Sequence, residues 1–390
     1  MERNQSSFIT FQQHQVLRIS FMLLLAIAIT FGNMMSLIVF LGSRRFYTSQ
    51  GYLKASLAFA DLAVGVLVVP YSVYTEIGRL LTTGDEDFGS SSTPGRLSTK
   101  RESFKPCFIM GTIFAACTLV SVTTIFLLSV ERSITVLKPL HKNVVVTKGR
   151  TLGLIILTWL VCFFLAVTPL LLSPDITLEY SACSKMCTYA LSPTGQQHQQ
   201  HSFSGGANIM LIFPVFDLSL LTGTCIVNGV TFSAVRRFCQ ARSQALDLTP
   251  HVSGGPSFSD IRAAKTIIII TVFFCASFLP VAVFVMGSVS GHEWCEFSFY
   301  AFWILTCSSC WNVAVYSVCD RRFGYATREL LFGRGLRRRH RPPAGMEEYR
   351  TEHCATVSKS MVRPERPELT IASYQTENTT KTDGTGAHYL

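Results

Sequence analysis

Residues 53–74 read Leu-Lys-Ala-Ser-Leu-Ala-Phe-Ala-Asp-Leu-Ala-Val-Gly-Val-Leu-Val-Val-Pro-Tyr-Ser-Val-Tyr. About 20 mainly apolar residues, rising 1.5 Å each, cover the roughly 30 Å hydrocarbon core of a bilayer, so this stretch is long enough to cross it as a helix. Asp61 stands in the middle of the run. An acid at that depth is costly unless it is solvated or paired, and therefore faces the interior of a bundle. The chain must then supply the helices that enclose it.

Six further stretches have the same length and apolar character: Ile19 to Leu41, Phe108 to Val130, Leu152 to Leu172, Ile209 to Val235, Thr266 to Ser290 and Phe297 to Val318. The stretch from Ile209 carries a second acid, Asp217, read as a helix-contact acid in preference to part of an ion or proton relay. Composition agrees with membrane residence. Of 390 residues, 48% are hydrophobic and only 15% charged, and mean hydropathy is +0.34. Thirty-four Lys and Arg against 24 Asp and Glu leave a charge of +10. That surplus falls in loops and tail, and a soluble nucleic-acid-binding protein does not carry repeated charge-free spans, so no nucleic-acid partner is expected. The expected fold is all-α, a seven-transmembrane helix bundle.

Lysine and arginine in short loops set the orientation. Arg44, Arg45, Lys138, Lys142, Lys148, Arg150, Arg236, Arg237, Arg242 and Arg262 share one side with a tail rich in arginine. That side is expected to be cytosolic and the N-terminus extracellular, in a plasma-membrane protein. The polar start, residues 1–15, lacks the pattern of a cleaved signal peptide. Asn4-Gln5-Ser6 is a sequon on the outer side, which makes Asn4 the candidate glycosylation site. Of thirteen cysteines, Cys107, Cys183, Cys187 and Cys295 lie on the oxidising side, where disulfides persist. Connectivity does not follow from sequence.

Gly32-Asn33 in the first span, Leu57 through Asp61 in the second and Glu131-Arg132-Ser133 ending the third are followed by Trp159, Pro214, Phe274 through Pro280, and Asn312-Val313-Ala314-Val315-Tyr316. With these in order, the chain resembles the rhodopsin-like (class A) G-protein-coupled receptors over roughly Val16 to Phe332. The resemblance implies that Asn33, Ser121, Ser309 and Asn312 surround Asp61, a cluster suited to a hydrated sodium ion; no other cofactor is expected. It implies that Arg132 is held by Glu131 and by Asp260, is released when the sixth helix swings outward to meet a heterotrimeric G protein, and works with the switch residues Asn312 and Tyr316. It also implies that Cys107 pairs with the second extracellular loop, through Cys187 first or Cys183 as the alternative. The spare cysteine is then available to Cys295.

Departures from the family pattern fall at switching positions. Serine follows Arg132, Phe278 replaces a tryptophan, Val313 a proline and Thr222 a tyrosine. An orphan receptor with raised basal signalling is the expectation. Phe114 stands where amine receptors of the family carry aspartate, and no lysine lies between Phe297 and Val318 for a retinal Schiff base. Amine pharmacology and photoreception are thereby disfavoured. Similarity builds a neutral aromatic pocket from Tyr74, Phe114, Thr118, Phe278 and Trp303, with Glu76, Glu293 and Glu296 at the rim. A lipid, a peptide or no diffusible ligand is compatible with it.

After the last span, Asp320 through Phe332 reads as a short amphipathic eighth helix, with Phe323, Ala326 and Leu330 opposite its arginines. The cluster from Arg334 to Arg341 is suited to anionic membrane lipid. Residues 333–390 are read as a disordered cytoplasmic tail with hydroxyls for receptor kinases and arrestin; residues 16–332 form the receptor domain. His198 and His201 lack the further ligands a metal site needs. No internal repeat supports a transporter. No span carries a histidine or nucleophile motif, so enzymatic activity is not expected. A ligand-free scaffold or co-receptor that modulates another receptor is the alternative function.

Overall fold

The computed structural model describes residues 2–85, 106–137, 147–191, 209–246, 258–292 and 294–332. All fall within the compact unit Met1–Arg341; the second unit, Pro342–Leu390, lies outside the described residues, as do His198, His201, Glu293, Arg334 to Arg341 and the tail hydroxyls. Helix α1 is Glu2–Gly42 and α2 comprises Ser49–Ala63, a π-helical turn Val64–Val68 and Val69–Asp85. Then come α3 (Pro106–Leu137), α4 (Lys148–Leu172), α5 (Ile212–Leu246), α6 (Phe258–Val289), α7 (Cys295–Cys319) and α8 (Arg321–Phe332). Seven of these, α1 to α7, contain a segment long and apolar enough to cross a membrane.

Two findings differ from the sequence reading. Helix α1 starts at Glu2, so the polar N-terminal residues continue the first span as helix; the side chain of Asn4 is outside the described residues. Between α4 and α5 the chain forms an antiparallel hairpin, β1 (Ile176–Ser181) with β2 (Met186–Leu191), joined in register from Ile176 with Leu191 to Ser181 with Met186. The described residues form a helical bundle carrying one small sheet. Strand β1 alternates apolar Ile176, Leu178 and Tyr180 with polar Thr177, Glu179 and Ser181, the period of a half-buried strand.

Local chemistry explains the element boundaries. Thr48 and Thr147 cap α2 and α4, their hydroxyls accepting from the N–H groups of Gly51 and Arg150. The π turn in α2 precedes Pro70, which has no N–H for the Val66 carbonyl and whose ring would strike it; widening the turn relieves both. The outward faces are apolar, with Leu24, Leu160, Phe164 and Leu172 all exposed. In water that surface would be a liability; in a bilayer it meets lipid. Polar groups turn inward instead: Asn33, Asp61, Ser121, Thr124, Asn228, Ser309 and Asn312 are buried.

Candidate functional site

Asp61 is enclosed as its mid-span position requires. Its Oδ2 accepts from Asn312 Nδ2 at 2.8 Å and its Oδ1 from Ser121 Oγ at 3.4 Å, with Ser309 as a third hydrogen-bond partner. Asn33 Nδ2 donates to the Ser309 carbonyl at 3.0 Å, tying α1 to α7 at the same level. The five residues expected around one site are therefore brought together. The side-chain oxygens of Asn33 and Asn312 and the Tyr316 hydroxyl are buried and have no hydrogen-bond partner among the described residues. A carboxylate beside neutral oxygens with spare lone pairs is a donor set fit for a hard, hydrated cation such as sodium.

Toward the α8 end, Arg132 and Glu131 are both buried, with Arg132 Nε 3.8 Å from Glu131 Oε2. Glu131 Oε2 also accepts from Gln50 Nε2 of α2 at 2.5 Å. Asp260 lies on α6, but its side chain is outside the described residues, so its expected pairing with Arg132 is not among the described contacts. Tyr316 is buried under Lys54, whose Nζ lies 4.6 Å from the ring centre and 3.3 Å from Asp320 Oδ2. Lys54 and Gln50 were not among the residues singled out from the sequence. The signal was present: Lys54 precedes Asp61 by seven residues, two helical turns, and so shares its inward face.

At the hairpin end, the aromatic residues are placed unevenly. Phe114, Phe278 and Trp303 are buried in the bundle, and Phe114 packs against Phe302 with ring centres 6.4 Å apart. Thr118 is half-buried and its hydroxyl is spent on the Phe114 carbonyl of its own helix. Tyr74 does not line a pocket: it is 76% exposed. Thirteen residues beyond Asp61, at about 100° per residue, it sits on the far side of α2, while Ser72 and Glu76 take the inner face. Glu76, expected at the rim of the pocket, is buried and ion-paired with Lys185 of the hairpin. Glu296 stays exposed and pairs with Arg18 at 3.6 Å.

Both disulfides join the hairpin to the bundle. Cys107 of α3 pairs with Cys187, and Cys183 with Cys295 at the start of α7. Cys187 is the first of the two partners considered for Cys107, and the spare cysteine, Cys183, is the one that meets Cys295. Asp217 lines a cleft between α5 and α6 with Phe213, Pro214, Leu218, Phe278, Val281 and Val285, and its Oδ1 has no hydrogen-bond partner among the described residues.

The pattern of the 7 transmembrane receptor (rhodopsin family) matches residues 32–316. The chain is similar to the adenosine receptor A2b of Gallus gallus, 27% identical over 150 residues, covering 38% of this chain and 36% of that receptor. It is also similar to the human adenosine receptor A2a, 25% identical over 247 residues and covering 60% and 51%. Human probable G-protein coupled receptor 45 is 25% identical over 331 residues, 80% of each chain. The chain thus spans about a third to a half of the length of these adenosine receptors. With the match running from Gly32 in α1 to Tyr316 near the end of α7, and the Asp61, Arg132 and Asn312 hallmarks inside it, the chain belongs to the rhodopsin family of seven-transmembrane receptors.

Proposed function

We propose that this protein is a plasma-membrane receptor that activates heterotrimeric G proteins, with its hairpin end outside the cell and its α8 end in the cytosol. The observation that carries the reading is the polar column through the bundle: Asp61 bonded to Asn312, Tyr316 one turn further along α7, and Arg132 with Glu131 at the end. Disulfides at one end and basic loops at the other support the orientation.

Signalling here is a shift between two packings of the helices, biased by whatever binds one packing better. Arg132 suits the exchange of partners because its planar guanidinium stays charged and holds several acceptors in a fixed fork. In the resting packing it sits beside Glu131; moving α6 outward opens that end and offers Arg132 to the G protein. Asp61, Ser121, Ser309, Asn33 and Asn312 would hold sodium, which supplies a positive charge opposite the buried carboxylate. The eighth helix and the arginine cluster after it rest on anionic lipid, and the tail hydroxyls serve receptor kinases and arrestin.

The likeness to adenosine receptors does not carry their named ligand over. A nucleoside presents many hydrogen-bonding groups, whereas Phe114, Phe278, Phe284 and Phe302 offer none, and the Trp303 indole N–H is already engaged. The reading is of a receptor with ligand-independent signalling. A panel of G-protein dissociation sensors in cells with and without the chain tests it: signal above mock that falls in a surface-expressed Arg132→Ala variant is expected. Silence of the well-expressed wild type would instead favour the scaffold or co-receptor function.

A further inference from the structure

The hairpin turn between β1 and β2 does not lie on the bundle as an open loop; it enters the bundle. Its depth follows from three anchors. Cys183 is bonded to Cys295 in the first turn of α7, Cys187 to Cys107 in the first turn of α3, and the Ser184 carbonyl accepts from Trp303 Nε1 at 3.0 Å. Trp303 lies eight residues, about 12 Å, along α7 from Cys295. Met186, the next residue but one after Ser184, is fully buried, and β1 presses Leu178 onto Gly111 of α3, where a Cβ would come within 2.6 Å of it.

Between Ser184 and Met186 stands Lys185, whose Nζ reaches Glu76 Oε2 at 3.0 Å. The lysine side chain is 12% exposed and the glutamate 4%. Glu76 Oε1 accepts from the Tyr180 hydroxyl at 2.9 Å and lies 3.6 Å from Arg79 Nη1, and the Arg79 guanidinium covers the Tyr180 ring at 4.5 Å. Burial, then the Glu76 charge, pushes the Tyr180 phenol well above its ordinary value, so it remains a donor to that carboxylate. The site is a buried carboxylate served by an ammonium, a phenol and a guanidinium.

The backbone of Lys185 sharpens the point. Its φ is +57°, the left-handed region that glycine and asparagine fill with least strain, and it is the only non-glycine among the described residues found there. A lysine at that position is paid for in strain and is explained by its ammonium, which no strain-free residue supplies. We infer that the hairpin tip is a tethered ligand of this receptor: Glu76 and Trp303 form a binding site for a primary ammonium on a backbone carbonyl-bearing turn, Lys185 and Ser184 fill it, and ligand-independent signalling depends on that occupancy. The inference rests on the reading of the chain as a signalling receptor and names what fills its ligand site. A diffusible amine is excluded from the wild type by the two disulfides that hold the tip in place, but the emptied site should accept one.

The full-length receptor in cells, read with the same sensors at matched surface level, provides the test. Lys185→Gly relaxes the backbone and removes the ammonium; basal signal is expected to fall about tenfold, and millimolar n-butylammonium is expected to restore it in Lys185→Gly but not in Lys185→Gly with Glu76→Gln. Basal signal unchanged in Lys185→Gly, or a fall that n-butylammonium does not reverse, overturns the tethered-ligand role. Exchange of the two charges, Glu76→Lys with Lys185→Glu, covers failure of Lys185→Gly to reach the surface: recovery of at least about half the wild-type signal supports the role, and a silent, well-expressed exchange variant overturns it. A silent wild type is a different result, since it removes the signalling reading itself.

Discussion

Lys54 and Asp320 are 266 positions apart in the chain, yet their charges meet at 3.3 Å. The ammonium also lies over the Tyr316 ring and faces Phe40 at 5.7 Å, a cation on aromatic faces in a dry setting. Asp320 Oδ1 in turn accepts from the Phe323 N–H at 3.4 Å, so one acid joins α2, the end of α7 and the first turn of α8. Replacing Lys54 with Met keeps length and removes the charge. The expected cost is about 2 kcal/mol, less than for a fully buried pair because the Asp320 side chain is 22% exposed. Thermal unfolding of purified receptor in detergent measures it. Lys54→Arg should retain most of the stability, and a loss below roughly 0.5 kcal/mol in Lys54→Met would show that the pair is ornamental. Helical phase alone identifies Lys54 as inward-facing, but its partner lies beyond the seventh span, and no periodicity connects the two.

The hairpin is the element whose form the sequence left open. Its strands are short, its turn has no Asn-Gly or Asp-Gly signature, and a segment between two spans reads equally well as a loop. What stabilises it is contact with other elements: two covalent links, Leu178 on Gly111, and the Tyr189 hydroxyl on the Ala166 carbonyl at 2.6 Å. Gly111 is the tightest of these fits. Gly111→Val places methyl groups where Leu178 stands and is expected to cost about 1–3 kcal/mol and lower surface expression. Leu178→Ala in the same chain should recover part of that loss, whereas Leu178→Ala alone should destabilise. Independent, additive losses from the two substitutions would mean that α3 and β1 do not share this contact. The π turn ahead of Pro70 was equally hidden, since a proline within a span predicts a disturbance of the helix without saying whether it kinks or widens.

Across the whole molecule, α1, α2, α3 and α7 converge on Asp61, and that convergence gives the bundle one polar interior. If the cluster holds sodium, replacing potassium by sodium at several times the dissociation constant should raise stability by about 1–2 kcal/mol in wild type. Asp61→Asn should abolish the sodium-dependent part while leaving the receptor folded, because an amide removes the charge, its oxygen still accepts from Asn312 Nδ2, and its NH2 donates to the Ser121 hydroxyl instead of accepting from it. An equal response to both salts in wild type would rule the ion out. Seven spans, the inward direction of Asp61 and the family hallmarks were all legible beforehand, since apolar length, charge placement and helical phase are local properties of the chain. The partners were not: Glu76 with Lys185, Trp303 with Ser184, Lys54 with Asp320, and the outward face of Tyr74 arise when separate helices are set at a particular depth and rotation. Depth and rotation are settled by packing between helices that are distant in sequence, and packing has no one-dimensional signature.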